Sequence, residues 1–396
     1  MKKSFGNGFI LGIIVTCGIV SVCKFATDFV MSTTWGKTIK YQLIDTRENK
    51  LDLLKQYIDE YYIEDTNQEE LNDGAYAGYI AALGDPYSTY YTKKENEDLM
   101  MKSEGEYCGI GVIVAQDPET KAISVVDVYD NTPAKKAGMK SEDILYKVAD
   151  EFVDGKELDT VISKIKGEVG TTVKIIVYRQ SEDKYIDMEV ERAVITIPTI
   201  EYKMLDKDKK IGYIRILQFD GNTDEAFSSA LEKLKNQGMK SVIFDVRNNP
   251  GGRYDTVCNM LDELLPEGTI VYTVDKHGNK QEEKSDARCL DMPMVVLING
   301  NSASASEIFS GAIQDYKAGT IVGTQSFGKG IVQGVFELGD GTAIKLTTSK
   351  YYTPNGINIH GKGITPDVIV GEDGEELSNN TQSLDSQLDK ALDLLK

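Results

Sequence analysis

An apolar run that leads directly into a helix-like segment constrains the fold of this chain more than any other feature. Met294–Ile298 contains no polar residue and is typical of a buried strand. From Ala305 to Ile313, apolar residues recur at the spacing of one helix face. The sequence therefore predicts a strand, a turn and a helix in direct succession, with the turn at Asn299–Ser304.

Three serines, Ser302, Ser304 and Ser306, lie at the end of this turn and at the start of the predicted helix. At a strand-to-helix turn a side chain can project while the first backbone N–H groups of the helix remain free. Two interpretations follow. Ser304 and Glu307 have the spacing of a capping box, in which the serine merely begins the helix. Alternatively, one serine is a nucleophile, and only residues elsewhere in the chain can decide between the two.

The second half of the chain alternates strand-like and helix-like segments. This alternation predicts an α/β core whose ligands bind at the ends of strands. We assign residues 193–370 to this core and residues 371–396 to an acidic C-terminal tail with a weak helix. The predicted strands are Ile211–Ile216, Ser241–Val246, Thr320–Val322, Gly330–Leu338 and Thr342–Tyr352, and the predicted helices are Thr223–Gln237 and Tyr254–Leu265.

Residues 105–192 have a different pattern, with short strands around two helices. A short helix begins at Pro133, and a longer one at Glu157–Lys166 precedes the strand Val173–Arg179. This order is similar to that of a PDZ domain, although a small β-domain that only packs against its neighbours would also fit. In PDZ domains a peptide C-terminus adds as a strand, and backbone N–H groups of a glycine-flanked loop bind its carboxylate. The corresponding loop residues are Tyr107, Cys108, Gly109, Ile110 and Gly111.

The N-terminal region combines an apolar segment with predicted helices. Residues 36–104 are expected to be mainly helical, as an arm for self-association or as the opening layer of a domain. Before them, Gly8–Cys23 is uncharged and mostly apolar, and it follows Lys2 and Lys3. A signal-peptide core and a short anchor both fit, but no clean small-x-small cleavage site follows. We expect residues 1–35 to be an uncleaved, single-pass anchor in the cell membrane, with the body of the chain outside the cytoplasm.

The composition excludes several classes of function. The chain has 63 acidic and 44 basic residues and a net charge of −19, which argues against nucleic-acid binding. Neither His277 nor His360 lies in a metal-binding motif or in surroundings suited to a Ser-His-Asp triad, so no metal ion or organic cofactor is implied. Gly323–Gly330 imitates a phosphate-binding loop. However, Gly330 replaces the required serine or threonine, and a strand-like segment follows.

Lys329 lies among glycines and apolar residues, between Phe327 and Ile331. One interpretation is a cation in an ordinary turn. If the side chain is buried, desolvation lowers its pKa and leaves a neutral amine that can act as a general base. A serine hydroxyl needs such a base to attack a carbonyl group, and no histidine in this chain is suited to the role.

Several motifs, which occur in the same order along the chain, resemble those of the carboxyl-terminal processing (tail-specific) serine proteases. They are Leu83–Tyr90, Asp245–Gly252, Gly300–Glu307, Gly328–Gly330 with Gln333, Tyr351–Gly356 and Gly363–Asp367. The similarity covers about Lys37 to Val370. It implies a multidomain α+β chain with a PDZ domain and an α/β serine-protease core of the crotonase-like or ClpP-like type.

The resemblance assigns catalytic roles to individual residues. It implies that Ser304 is the nucleophile, that Lys329 is the general base and that Gln333 orients the lysine amine. The spacing of these three residues matches that of the family. Ser302 and Ser306, which flank the nucleophile, are expected to help cap the helix.

The same resemblance implies an oxyanion hole and a regulatory position. The oxyanion donors would be the backbone N–H of Ala305 and that of Gly251 or Gly252. Many relatives carry arginine in an Ile-Arg-Gly segment of the PDZ domain, and in some of them it couples peptide binding to the active site. Here Lys166 stands at that position, so it is a candidate regulatory residue and the form of regulation stays open.

The residues and the resemblance together predict a serine endopeptidase for protein or peptide substrates that are recognised by their free C-termini. The resemblance also implies a homodimer formed through the helical region. No nucleic acid, metal or organic cofactor is expected to bind. The alternative is a PDZ scaffold with a degenerate, inactive protease fold, which the intact set of Ser304, Lys329 and Gln333 disfavours.

Overall fold

A computed structural model of the protein describes residues 48–371 and 385–396. The chain divides into two compact units, Met1–Ala75 and Tyr76–Lys396. The described part of the first unit contains α1 (Glu48–Tyr61) and the beginning of α2 (Gln68–Ala81), as the sequence predicts. The predicted anchor, residues 1–35, lies outside the described residues. Within the described ranges, no helix is both long and apolar enough to cross a bilayer.

The second unit begins with a short strand and a capped helix. β1 (Thr89–Tyr91) is followed by α3 (Lys93–Ser103). Thr92 starts α3 with a capping box, because its hydroxyl accepts a hydrogen bond from the Glu95 N–H and its own N–H donates to the Glu95 carboxylate at 2.9 Å.

Residues 105–192 form the predicted β-domain. Its elements are β2 (Glu106–Gly109), β3 (Val112–Gln116), β4 (Ile123–Val128), α4 (Pro133–Lys136), β5 (Ile144–Val148), β6 (Glu151–Phe152), α5 (Leu158–Ile165), β7 (Thr172–Arg179) and β8 (Lys184–Glu191). The main sheet is antiparallel in the order β3–β4–β5–β7–β8, with β6 on β5. Val161 and Ile165 of α5 are buried in its hydrophobic core. β2 pairs instead with β9 (Ala193–Thr196), outside that sheet.

The remaining elements build the α/β core. They are β10 (Ile200–Asp206), β11 (Ile211–Ile216), α6 (Thr223–Asn236), β12 (Ser241–Asp245), α7 (Tyr254–Asp262), β13 (Gly268–Asp275), β14 (Lys280–Ser285), β15 (Met294–Ile298), α8 (Ala305–Tyr316), β16 (Gly319–Gly323), β17 (Ile331–Glu337), β18 (Ala343–Tyr352), β19 (Val368–Ile369) and α9 (Ser386–Leu394). One sheet has the order β10–β11–β12–β15–β16–β19 and is parallel from β11 onward.

The central strands of this sheet position the site. All residues of β12 and β15 are buried. The two strands run parallel, with Asp245 opposite Leu297, so their carboxyl ends meet at one edge. The chain segments that follow, Val246–Gly252 and Asn299–Ser304, therefore lie side by side where α/β folds place their ligands.

A second sheet joins residues from both sides of the β-domain. β18 pairs with β17, β1 and β13, and β14 pairs with β13. β1 lies in residues 36–104, a region predicted to be mainly helical, whereas β18 lies near the end of the core. The β-domain is therefore inserted between two strands of one sheet.

The β13–β14 hairpin was not predicted from the sequence. The residues of β14 are all charged or polar, and most of them are exposed, so no hydrophobic alternation marks the strand. The turn between the strands is stabilised by Asp275, whose carboxylate accepts hydrogen bonds from the N–H groups of His277 and Asn279.

A buried ion pair in the β-domain provides a test of the fold. Arg179 donates two 2.7 Å hydrogen bonds to Asp143, whose side chain is only 1% exposed. We expect Arg179→Ala to cost about 3 kcal/mol in free energy of unfolding, because it leaves a buried carboxylate without its partner. Urea denaturation followed by circular dichroism measures this loss. Lys135→Ala, which breaks the exposed pair with Asp130, is the control, and an equal effect of both variants would contradict the prediction.

Candidate active site

Ser304 occupies a strained position between β15 and α8. Its backbone has φ 55° and ψ −114°, a conformation that costs a non-glycine residue about 1–3 kcal/mol. Hydrogen bonds on both sides hold the turn: the Ala303 N–H donates to the Asn249 carbonyl at 3.1 Å, and the Ser304 N–H donates to the Glu307 carboxylate at 2.9 Å. The predicted strand, turn and helix are therefore confirmed, and Ser304 sits at a sharp, over-determined bend.

The two flanking serines have structural roles that differ from helix capping. Ser302 and Ser306 are fully buried. The Ser302 hydroxyl donates to the Val246 carbonyl at 2.8 Å, and the Ser306 hydroxyl donates to the Asn249 carbonyl at 2.9 Å. The expected capping role was wrong for both, because their hydroxyls join the turn after β15 to the turn after β12. Ser304 alone among the three is partly exposed.

The turn after β12 lies against Ser304. A Cβ atom at Gly251 would stand 2.8 Å from the Ser304 Cβ and 2.9 Å from the Ala305 nitrogen, so only glycine fits there. The Gly251 N–H is already bound to the Asn249 side chain at 2.8 Å. In the part of the chain that the structure describes, the N–H groups of Gly252 and Ala305 donate to no other residue. Both remain available to a ligand.

The carboxylate of Glu307 connects the serine turn to the lysine loop. It is fully buried. One oxygen accepts hydrogen bonds from the backbone N–H groups of Ser304 and Lys329, at 2.9 and 2.8 Å. The other accepts from the Ser326 hydroxyl at 2.6 Å and from the Gly328 N–H at 2.7 Å. The sequence indicated Glu307 only as a capping residue, because its contacts with the lysine loop are formed by tertiary folding.

The side chain of Lys329 is half-buried and close to an aromatic ring. Its Nζ lies 4.7 Å from the centre of the Tyr87 ring. Burial lowers the pKa of Lys329 below its usual value, and the nearby Lys345 lowers it further, whereas Asp85 and Glu307 oppose the shift. A lowered pKa is what we expected of Lys329 if it acts as a general base.

The three predicted catalytic side chains do not form one hydrogen-bonded set. The Gln333 amide donates to the Thr347 hydroxyl at 3.5 Å. Among residues 48–371 and 385–396, no hydrogen bond links the Lys329 ammonium to Ser304 or Gln333. The structure thus brings Ser304 and the backbone of Lys329 together through Glu307, while the roles of the three side chains stay predictions.

Other candidate chemistry does not converge on this site. His277 and His360 are both exposed. Gly323–Gly330 is followed by β17, so no helix N-terminus faces this loop. In the described ranges, no group of three or more histidine, cysteine, aspartate or glutamate side chains is arranged to hold a metal ion.

The predicted peptide-binding loop is partly strand. Tyr107, Cys108 and Gly109 belong to β2, because they pair with β9, while Ile110 and Gly111 connect to β3. The ring of Tyr107 folds over Gly109, where a Cβ atom would stand 2.6 Å from the ring. Burial raises the pKa of Tyr107 to about 12, and the nearby backbone N–H groups of Gly111 and Val112 oppose that rise.

Lys166 also faces Tyr107. It ends α5, and its Nζ lies 5.8 Å from the centre of the Tyr107 ring. Arg192, which the sequence did not single out, binds the end of the same helix and donates to the carbonyls of Ile165 and Lys164 at 2.9 and 2.8 Å. An arginine is therefore present beside the predicted regulatory position, although it comes from the segment after β8.

Comparisons with known proteins show which family this chain resembles. The sequence model of peptidase family S41 matches residues 210–370, that of the PDZ domain matches 107–190, and that of the N-terminal domain of the activating protease CtpB matches 31–95. A CtpA-like serine protease of Staphylococcus epidermidis is 35% identical over 365 residues, which cover 91% of this chain and 72% of that protein. A carboxy-terminal-processing protease of Bartonella bacilliformis is 33% identical over 372 residues, which cover 91% of this chain and 81% of that protein. This chain belongs to peptidase family S41.

Membership of family S41 confirms the predicted family and enzyme class. The chain is a serine-type, carboxy-terminal-processing peptidase with a PDZ domain, and its substrates are peptides or proteins. The solved structure of an S41 protease from Bacteroides fragilis has a TM-score of 0.52, at 14% identity, and covers 83% of this chain and 90% of that one. This likeness shows that the two proteins share a fold.

Replacement of Glu307 tests its connecting role in this S41 site. A glutamine cannot accept hydrogen bonds through its amide nitrogen, so at least one buried donor loses its acceptor. We expect Glu307→Gln to lower the free energy of unfolding by about 1–3 kcal/mol and kcat by at least about tenfold. Thermal unfolding and peptide hydrolysis measure the two effects. Glu337→Gln, on the exposed end of β17, is the matched control, and equal behaviour of both variants would contradict the role.

Proposed function

We propose that this S41 peptidase is an endopeptidase with a Ser/Lys dyad, in which Ser304 is the nucleophile and Lys329 the general base. The observation that carries the proposal is the buried Glu307 carboxylate, which binds the backbone of both residues. It is supported by the partial exposure of Ser304 and by the lowered pKa of Lys329. No other ionisable side chain of this site needs to act as a base.

The reaction follows from these positions. The neutral Lys329 amine takes the Ser304 hydroxyl proton while the oxygen attacks the scissile carbonyl carbon. The negative carbonyl oxygen of the tetrahedral intermediate is stabilised by backbone N–H groups. Lys329 then gives its proton to the leaving amine, and the peptide bond breaks to leave a serine ester. Water attacks this ester with Lys329 again as base, which releases the second product and restores Ser304.

The free backbone donors favour a particular oxyanion hole. Ala305 and Gly252 have N–H groups without an acceptor among the described residues, whereas the Gly251 N–H is bound to Asn249. We therefore infer that Ala305 and Gly252 stabilise the oxyanion. Gly251 instead provides the close approach that brings this turn against Ser304.

We infer that the PDZ domain binds the free carboxylate of a substrate's C-terminal tail. The Gly111 N–H belongs to the predicted carboxylate loop and the Val112 N–H directly follows it, and both lie near enough to the Tyr107 hydroxyl to oppose the rise in its pKa. A carboxylate is a stronger acceptor than a neutral phenol. An incoming tail carboxylate therefore competes with Tyr107 for these two donors.

We further propose that the enzyme acts outside the cytoplasm as a membrane-anchored homodimer. The apolar segment Gly8–Cys23, flanked by Lys2 and Lys3, supports the anchor and its orientation. The match of residues 31–95 to the CtpB N-terminal domain supports a distinct role for the helical region, which we assign to dimerisation.

Removal of each dyad side chain tests the proposed chemistry. We expect Ser304→Ala and Lys329→Ala each to lower kcat/KM for a peptide substrate by about 10³-fold or more, with thermal unfolding nearly unchanged. Lys350→Ala, an exposed lysine on β18, is the matched control and keeps normal activity. Normal turnover in either dyad variant would refute this mechanism. Tail binding without hydrolysis by the wild-type protein would support an inactive scaffold instead.

Peptide binding tests the carboxylate assignment separately. We expect amidation of a tail peptide's C-terminus to raise its Kd by at least about tenfold, because a charge-assisted hydrogen-bond pair is lost. Tyr107→Phe is expected to lower the Kd of the free-acid peptide about threefold to tenfold, because no hydroxyl then competes for the loop. Fluorescence anisotropy with Ser304→Ala protein measures both. Tyr185→Phe, an exposed tyrosine on β8, serves as control, and insensitivity to amidation would exclude carboxylate recognition.

A further inference from the structure

A segment from before the PDZ domain packs against the sheet that carries the predicted base. β1 pairs with β18, with Thr89 opposite Lys345. The turn before β1 is attached to the same strand, because the Thr347 N–H donates to the buried Ser88 hydroxyl at 3.1 Å. β17, which begins two residues after Lys329, also pairs with β18. Residues on both sides of the PDZ domain therefore meet at Lys329.

Tyr87 is held rigidly within this turn. Its N–H donates to one Asp85 carboxylate oxygen at 3.0 Å, and the Ser88 hydroxyl donates to the other at 2.6 Å. The turn thereby fixes the ring 4.7 Å from the Lys329 ammonium. The face of an aromatic ring attracts a cation but not a neutral amine. The contact between Tyr87 and Lys329 is therefore specific to the protonated lysine.

Other charges near Lys329 act on the same equilibrium. Lys345, on β18, repels the protonated amine, and its own Nζ donates to the Tyr91 hydroxyl at 2.7 Å. Asp85, in the turn, and Glu307, at the start of α8, attract it. The Tyr87 ring also attracts the protonated amine, as Asp85 and Glu307 do. Burial opposes protonation of Lys329 whereas the aromatic contact favours it, so loss of the Tyr87 ring is expected to lower the pKa of this amine.

We propose that Tyr87 is a positioning residue that holds the protonated amine of Lys329 in the resting enzyme and releases it to Ser304 once the amine is neutral. On deprotonation the proton passes to water, and the attraction of the ring ends. The neutral amine then accepts a hydrogen bond from the Ser304 hydroxyl. This inference rests on the proposed role of Lys329 as general base. It also explains why, among the described residues, the Lys329 amine lies against the Tyr87 ring and makes no hydrogen bond to Ser304.

The pH dependence of hydrolysis tests the proposal. In the wild type, kcat/KM rises with pH as Lys329 loses its proton. Tyr87→Leu keeps an apolar side chain over the amine but removes the ring face. We expect the rising limb to move to lower pH by about half a unit, with KM nearly unchanged, because the protonated amine loses its stabilisation. Tyr87→Phe keeps the ring and keeps the wild-type profile. Tyr91→Leu, which removes the ring beside Lys345, is the location control and leaves the limb in place.

A second measurement does not depend on activity. In the Ser304→Ala background, competitive acetylation of Lys329 with acetic anhydride, quantified by mass spectrometry across pH, reports the pKa of this amine. We expect the same downward shift when Tyr87→Leu is added. Unchanged labelling and kinetic profiles in folded Tyr87→Leu protein would overturn the positioning role. Full activity of Lys329→Ala would instead refute the dyad itself, so the two failures are distinguishable.

Discussion

The geometry of the catalytic region depends on the buried carboxylate of Glu307. Four donors converge on it, two of them the backbone N–H groups of Ser304 and Lys329. A buried carboxylate is stable only when such donors replace its water. These hydrogen bonds stabilise the charge of Glu307 and offset the backbone strain at Ser304. They also connect the turn after β15 to the loop after β16.

The three serines near the start of α8 have different roles. Ser302 and Ser306 are fixed to the turn after β12, and their burial leaves Ser304 as the partly exposed hydroxyl. Hydrogen bonds thus hold the chain on both sides of the proposed nucleophile, as a preorganised site requires. Lys329 differs from Ser304, because its side chain is only partly buried and lies against the Tyr87 ring. The proposed nucleophile and the proposed base therefore lie on two different segments, the turn before α8 and the loop before β17.

Much of the fold and part of the site could be predicted from the sequence. Hydrophobic periodicity located the central strands β12 and β15 and the helix α8, because buried elements carry a strong pattern. The polar edge strand β14 and the pairing of β1 with β18 could not be predicted, since neither leaves a local signal. The same limit applies to Tyr87, which the sequence showed only as part of the motif Leu83–Tyr90. Its neighbour Lys329 is distant in the chain, and only tertiary folding brings the two together.

The insertion of the PDZ domain has a mechanical consequence. Two chain crossings connect this domain to the core, and they are joined to each other by β2–β9 pairing and by a 2.8 Å hydrogen bond from the Ile197 N–H to the Gly105 carbonyl. A domain tethered once can tumble, whereas a domain tethered by a paired ribbon bends mainly about one axis. Under the proposed binding of a substrate tail, the paired ribbon limits how far the bound carboxylate can lie from Ser304.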